Sequence, residues 1–301
     1  MAVADTALEL APSFSYWNMV FTRFRRHKLA MFGTIVVLFM ILACFVGAPV
    51  YTALTGISYS SQNLKDRYAY PSAQHWFGTD DLGRDTLVRI LYGGQISIEV
   101  GLIASLAAIV LGSLVGVISG YFGGWLDEAL MRFTDVMMSL PYLPLYLVLA
   151  MAFTPGFWTL IFIFIAFGWM GDARLVRGVV LSLKNMEFIE AARAVGSSSW
   201  RIMGIHLLLN SMAVIIVSMT LAVGGNIVGE ASLSYLGLGI QPPMPSWGNI
   251  LQSAAEFMFA PRNGPWLIFY PGFFLFLTVL SFNFMGDGMR DALDPRLKNA
   301  N

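Results

Sequence analysis

From Leu29 to Val50 the chain runs for 22 residues without a charged side chain. As a helix that stretch is roughly 33 Å long, enough to cross a bilayer core of about 30 Å. In hydrocarbon the backbone must satisfy its polar groups internally, so the stretch reads as a first transmembrane helix. Five more apolar runs follow, at about 92–120, 133–153, 157–170, 208–228 and 265–285. The run 133–153 carries Pro141 and Pro144, which predicts a kink, because proline removes a backbone donor. The run 157–170 is short for a span, so its helix is expected to continue past Asp172 towards Val180. These runs predict an all-α integral membrane protein of six transmembrane helices.

The segments between them complete the layout. Residues 1–28 form a polar tail, and 51–91 a loop with some local structure, where Asp80, Asp81, Arg84 and Asp85 cluster around Gly78 and Gly83. A five-helix core covers 92–285, interrupted by a polar island at 172–207, and 286–301 is a short charged tail. Residues 229–264 are rich in Pro and Gly; the part around Leu233, Tyr235 and Ile240 is expected as a short helix at the outer interface. The N-terminal segment ends in Arg23, Arg25, Arg26 and Lys28 and lacks the pattern of a cleavable signal.

Charge places this layout in the membrane. Of the 18 Lys and Arg residues, 13 fall in the two tails, in 121–132 and in the island 172–207, against five in 51–91 and 229–264. Basic residues stay on the cytoplasmic side, so both tails and the island are expected there. Only 12% of residues are charged, against about 25% in a soluble domain. A formal net charge of zero argues against nucleic acid as a partner. Cys44 is the only cysteine and excludes a disulfide framework within the chain. The three histidines show no metal spacing, and no GxxxxGK[ST] phosphate loop occurs.

Within the second run, Ala104, Ala108, Gly112, Gly116 and Gly120 recur at every fourth position and so share one helical face. Small side chains there let two helices approach closely, which is the packing reading; the other is a face that lines a pathway. Glu99 lies inside the same run, either as an ionisable group with a function or as one that reaches water at the outer interface. Asn226, Asp135 and Glu230 fall near run ends, where the structural reading is the plainer one, and Asn226 is retained with Glu99 as a possible element of a translocation path. His206 reads as a helix-end histidine.

The polar island holds the segment Glu187 to Arg201. Ala191 and Ala192 favour helix without bulk, and Glu190 suits a helix end or a cationic partner. Gly196 fits the left-handed position that ends a helix, and Ser197 to Ser199 offer an N-cap for the next. On these residues alone the segment is either a solvated connection or a docking helix for a second protein.

Glu190-Ala191-Ala192 followed by Gly196 resembles the EAA loop of ATP-binding-cassette (ABC) import permeases. Three further segments resemble the peptide and nickel branch of that family: His75 to Asp85, Ser232 to Gly239 followed by Gln241-Pro242-Pro243, and Gly286 to Arg296. The resemblance spans about residues 20 to 298 and is to the C-type subunit of dipeptide or oligopeptide importers.

The resemblance implies the type I importer permease fold in a bacterial or archaeal cytoplasmic membrane. It also implies a second, homologous permease, two cytoplasmic ATPase subunits carrying ATP and Mg2+, and an outer solute-binding protein, with no cofactor and no catalysis in this chain. Glu190, Ala191, Ala192, Arg193, Gly196 and Trp200 become the ATPase-coupling residues by that likeness. The family pattern His-Ile-Leu-Pro-Asn is here His206-Leu207-Leu208-Leu209-Asn210, and without the proline the island is expected to join the fifth span with less of a break. The cargo alternatives are nickel or another small solute. An ion-coupled secondary transporter is the rival mechanism, although no internal repeat or pair of midplane acids supports it. A membrane enzyme would need converging reactive groups, and none are visible.

Overall fold

The computed structural model describes residues 16–256 and 264–294. The first fifteen residues, 257–263 and 295–301, with Pro295 and Arg296 of the C-terminal motif, lie outside the described residues. Among the described residues, regular secondary structure is helical, apart from a single bridge between Thr79 and Asp85.

Helix α1 (Tyr16–Arg26) stops at His27, whose ψ of 99° leaves the helical region and whose Nδ1 accepts the Ala30 N–H at 3.1 Å to cap α2 (Lys28–Leu42). A π-helical turn at Ala43–Gly47 joins α2 to α3 (Ala48–Thr55), and together they form one 28-residue apolar span, Lys28–Thr55. Pro49 gives the turn a physical reason: it has no N–H for the carbonyl four residues back and its ring crowds that carbonyl, so the wider turn just before it relieves both.

Helix α4 (Thr86–Phe122) begins earlier than the sequence suggests. Asp85 caps it, accepting the Val88 N–H on Oδ1 at 3.0 Å. The charge of Arg89 disguised this first turn, yet Arg89 is buried, with its Nε 3.4 Å from Asp80 Oδ2. At 37 residues α4 is about 55 Å long.

The expected third span is instead two helices, α5 (Gly124–Met138) and α6 (Tyr142–Ala152), whose axes differ by 86°. Pro141 stands at the start of α6, where it excludes the helical conformation for the residue before it; Pro144 sits in the first turn, where its missing N–H costs nothing. Among the described residues, five helical stretches are therefore long and apolar enough to span, and six if this bent pair counts as one.

Helix α7 (Phe157–Leu183) continues through Asp172 and Val180, so the first part of the island 172–207 belongs to a span. The remainder holds α8 (Glu187–Ala194), the single turn α9 (Ser199–Arg201) and a π-helical stretch, Ile202–Leu208. Helix α10 (Met212–Tyr235) absorbs Leu233 and Tyr235, expected in a separate interfacial helix, while Ile240 lies in the turns that follow it. After α11 (Trp247–Glu256), α12 (Trp266–Leu293) takes in Gly286 to Leu293 of the supposed tail.

The alternation of the helices gives the bundle two ends. One carries α1, α8 and the C-terminal end of α12; the other carries the loop 57–85 and α11. At the centre Met40, Ile98, Ile227, Trp247 and Phe282 pack into one core. Helices α4 and α7 pack most intimately, along the small-residue row. Cβ atoms on Gly112 and Gly116 would stand 2.6 Å from the Trp169 carbonyl oxygen and 2.5 Å from that of Ala173. Gly120 meets Val180, Ala108 lies against Gly168, and Ala104 is fully buried beside Leu160 and Ile161. This face is filled by α7.

Candidate functional site

The segment singled out by the EAA pattern folds as a short helix seated on the end of the bundle. Helix α8 starts after Met186 without a side-chain cap, and Glu187 and Glu190 in its first turn complement the positive end of the helix dipole. Gly196, at φ 80°, ends it: the Gly196 N–H reaches the Arg193 carbonyl at 2.9 Å and the Ser197 N–H reaches that of Ala192 at 3.0 Å. This is the paired closure that a left-handed glycine permits. Ser198 then caps the next turn, its Oγ accepting the Arg201 N–H at 3.4 Å.

Two residues hold α8 down. Ile189 is fully buried and Ala192 nearly so, in one cluster with Val176, Val180, Ile202, Met203 and Leu207. Ala192 therefore faces the body of the protein, where a larger side chain would lift the helix off its seat. Glu190, Ala191, Arg193 and Gly196 are exposed, as are Val195 at 82% and Trp200 at 73%. The seat is braced from α4. The Arg193 guanidinium lies over the Tyr121 ring at 5.6 Å, the Tyr121 hydroxyl meets Ser199 Oγ at 3.2 Å, and Lys184 Nζ donates to the Gly120 carbonyl at 3.0 Å. Arg177 pairs with Asp127 through Nε at 2.5 Å and Nη2 at 2.7 Å, tying α7 to α5 beneath it.

The junction from this segment into α10 is helical, with a wide, irregular turn in it. The turns over Ile202–Leu208 are π-helical and Ser211 forms a turn. The Asn210 side chain donates to the His206 carbonyl at 2.5 Å, and the Ser211 hydroxyl to that of Leu207 at 2.8 Å. Side chains thus add donors to this irregular turn, while the backbone at Leu209 itself stays helical.

Of the polar groups inside the bundle, Asn226 donates from Nδ2 to Ser105 Oγ at 2.8 Å, linking α10 to α4. Glu99 is half-buried on α4 and shares a face with the exposed Ile103, Leu106 and Val110; it makes no hydrogen bond or ion pair among the described residues. The two are not brought together. Two other acids are more deeply placed: Asp172, which the sequence reading did not single out, and Glu230, which it read as a structural group near a run end. Asp172 accepts the Ser218 hydroxyl between α7 and α10. Glu230 is completely buried, because α10 runs on to Tyr235 instead of ending before it. The Ser234 hydroxyl reaches Glu230 Oε1 at 2.7 Å and the Ser97 hydroxyl reaches Oε2 at 2.6 Å. Ser234 stands four residues beyond Glu230, a spacing readable in a helix; Ser97, on another helix, has no such signal.

At the opposite end from α8, the segment around Gly78 and Gly83 is a compact charged knot. Arg84 donates to Asp80 at 2.6 Å and to Asp81 at 3.3 Å. His75 Nδ1 lies 2.9 Å from Asp85 Oδ2, whose other oxygen caps α4. Burial, and then the negative charge of Asp80, pushes the Asp81 carboxyl above its ordinary range, while Arg84 and Arg89 oppose that rise.

Comparison with known proteins accounts for this arrangement. Residues 112–299 match the family described as binding-protein-dependent transport system inner membrane component, and residues 15–71 match the N-terminal TM domain of oligopeptide transport permease C. The chain is 42% identical over 287 residues to the dipeptide transport system permease protein DppC of Bacillus subtilis, covering 95% of this chain and 88% of the relative. It is 41% identical to the oligopeptide transport system permease protein OppC of the same species, over 95% of this chain and 92% of that one. The glutathione transport system permease protein GsiD of Pectobacterium atrosepticum is 38% identical, over 94% and 92%. With five to six apolar helices and a family match over most of its length, the chain belongs to the binding-protein-dependent transport system inner membrane components, the multi-pass permease subunits of ABC importers.

Proposed function

We propose that the protein forms half of the translocation pathway of a di- or oligopeptide importer and couples it to ATP hydrolysis through α8. The observation that carries the coupling role is the division of α8 into two faces. Ile189 and Ala192 seat it on the bundle, and Glu190, Ala191, Gly196 and Trp200 remain exposed. Among the six coupling residues read from the motif, Ala192 then acts as a support beneath the contact and the others form it. A helix seated in this way moves as one body with α7 and the start of α10, as coupling to a closing ATPase pair requires.

A second, homologous permease completes the pathway, two ATPase subunits bind ATP and Mg2+ on the α8 side, and a solute-binding protein docks at the opposite end. The excess of basic residues around α1, α8 and the C-terminal tail supports a cytoplasmic address for that end. The substrates after which the relatives are named, dipeptides, oligopeptides and glutathione, support a peptide cargo over nickel.

The test is uptake of a labelled dipeptide by vesicles reconstituted with both permeases, the ATPases and the loaded binding protein. Uptake that requires ATP on the α8 side and competes with peptides supports the reading. Uptake that persists without ATP but needs a proton gradient, or transport of nickel alone, overturns it.

A further inference from the structure

Two chains of hydrogen bonds converge on Glu230 from the far end of the bundle. The Trp247 N–H donates to Ser97 Oγ at 3.3 Å, and the Ser97 hydroxyl to Glu230 Oε2 at 2.6 Å. The Ile240 N–H donates to Ser234 Oγ at 2.9 Å, and the Ser234 hydroxyl to Glu230 Oε1 at 2.7 Å. One serine belongs to α4 and the other to α10, while both N–H groups belong to the segment that follows α10. A single buried carboxyl group therefore holds in place both serines that tie that segment to two membrane helices.

The segment it fastens is also bonded within itself and to α4. Asn249, almost fully buried, donates from Nδ2 to the carbonyls of Ile240 at 3.1 Å and Met244 at 2.8 Å, and accepts the Ser246 N–H on Oδ1 at 2.9 Å. The Trp247 indole is wholly buried and donates to the Ile90 carbonyl at 3.0 Å. Above this framework Leu236 and Met244 are exposed. The helix that carries Glu230 at one end, α10, continues at its other end into the π-helical stretch and α8.

We propose that Glu230 is a positioning residue of the transport cycle: it locks the segment 236–256 onto α4 and α10, so that docking of the binding protein on that segment is transmitted along α10 to the coupling helix. This rests on the reading of that end as the binding-protein side. Breaking a buried polar network leaves orphan donors and acceptors, so loss of the carboxylate frees the segment rather than merely weakening one bond.

The test uses the complete transporter in vesicles with Glu230→Gln. The side chain keeps its size, but its NH2 group cannot accept, so one of the two serine hydroxyls loses the oxygen it donates to. Amide exchange over 236–250 is expected to rise about tenfold or more, with no change over 104–116. Basal ATPase and the concentration of loaded binding protein giving half-maximal stimulation are expected to stay within about twofold, while the maximal stimulated rate falls about fivefold or more.

Unchanged exchange overturns the lock, and raised exchange with full stimulation overturns the transmission role. A parallel fall of basal and stimulated rates marks a structural role only and also overturns it. If Glu230→Gln fails to assemble, Ser97→Ala, which removes one chain and leaves the carboxyl group, carries the same comparison. A wild-type complex that no loaded binding protein stimulates overturns the reading of this end as the docking side, and with it transmission; the exchange measurement decides the lock separately.

Discussion

The carbonyl oxygen of Ala173 on α7 lies 2.5 Å from the point where a Cβ on Gly116 of α4 would stand. Between lipid-surrounded helices the hydrophobic effect gives no preference for contact, so this closeness is what binds α4 to α7. Gly116→Val is expected to force the pair apart at a cost of about 1–3 kcal/mol, read as a lower melting temperature of the purified complex. Gly178, on α7 itself, has open space where its Cβ would be. Gly178→Ala is expected to leave stability unchanged or raise it by up to about 1 kcal/mol, since alanine is the better helix former.

The two faces of α8 separate stability from coupling. Ile189→Ala empties a fully buried position and is expected to cost about 2–5 kcal/mol, loosening α8 and lowering both stability and uptake. Glu190→Arg changes an exposed charge next to Ala191 and is expected to leave the melting temperature of the permease within the range of a surface substitution, about 0.5 kcal/mol. Its effect should appear as weaker recovery of ATPase subunits with the membrane complex and slower uptake. Normal recovery and normal uptake together would remove Glu190 from the contact.

Leu209 stands at φ −63°, an angle proline adopts, and its side chain is 59% exposed. The neighbouring irregular turn already has side-chain donors on the carbonyls of His206 and Leu207. Leu209→Pro is therefore expected to assemble normally and to change uptake by no more than about twofold, a surface-scale effect of about 0.5 kcal/mol. A large loss of assembly would show that the backbone N–H of Leu209 is needed to hold the π-helical stretch.

Asp81 gives the loop 57–85 a pH dependence of known sign. Burial, reinforced by Asp80, raises its carboxyl above the ordinary value of 3.8, so the folded loop holds the proton more tightly than the unfolded chain. Stability from this group is fully present below 3.8 and is lost as pH rises through the elevated folded value. Asp81→Asn removes that loss, so its melting temperature is expected to gain on the wild type as pH rises from 3.8 towards neutrality. The same comparison on Asp80→Asn controls for the Arg84 pair, since Asp80 holds Arg84 at 2.6 Å and Arg89 at 3.4 Å and its loss should destabilise.

The membrane-spanning plan could be read from Leu29 onward because hydrocarbon imposes a length and excludes charge, and both are local properties of the chain. The close approach along Ala104, Ala108, Gly112, Gly116 and Gly120 was legible for a similar reason: a four-residue repeat of small side chains is a helical face in any context. Gly196 announced the end of α8 through the conformation that only glycine adopts cheaply. Elsewhere a charge misled. Arg89 hid the first turn of α4, because its neutralisation by Asp80 depends on how the loop 57–85 folds back.

What no local pattern could supply were the relationships between distant segments. That Ala192 points inward and Ala191 outward depends on where α7 and the stretch after α9 place their apolar side chains. That α5 and α6 part by 86° depends on what the bundle offers each of them once Pro141 has broken the helix. Glu230 is the clearest case. Its sequence neighbourhood marks an acid near the end of an apolar run, a position that usually reaches water. Burial became tolerable only when folding brought Ser97, 133 positions away in the chain, to one of its oxygens and left Ser234 on the other. A carboxyl group in hydrocarbon needs partners within hydrogen-bond reach, and distance in space is the quantity that a sequence does not carry.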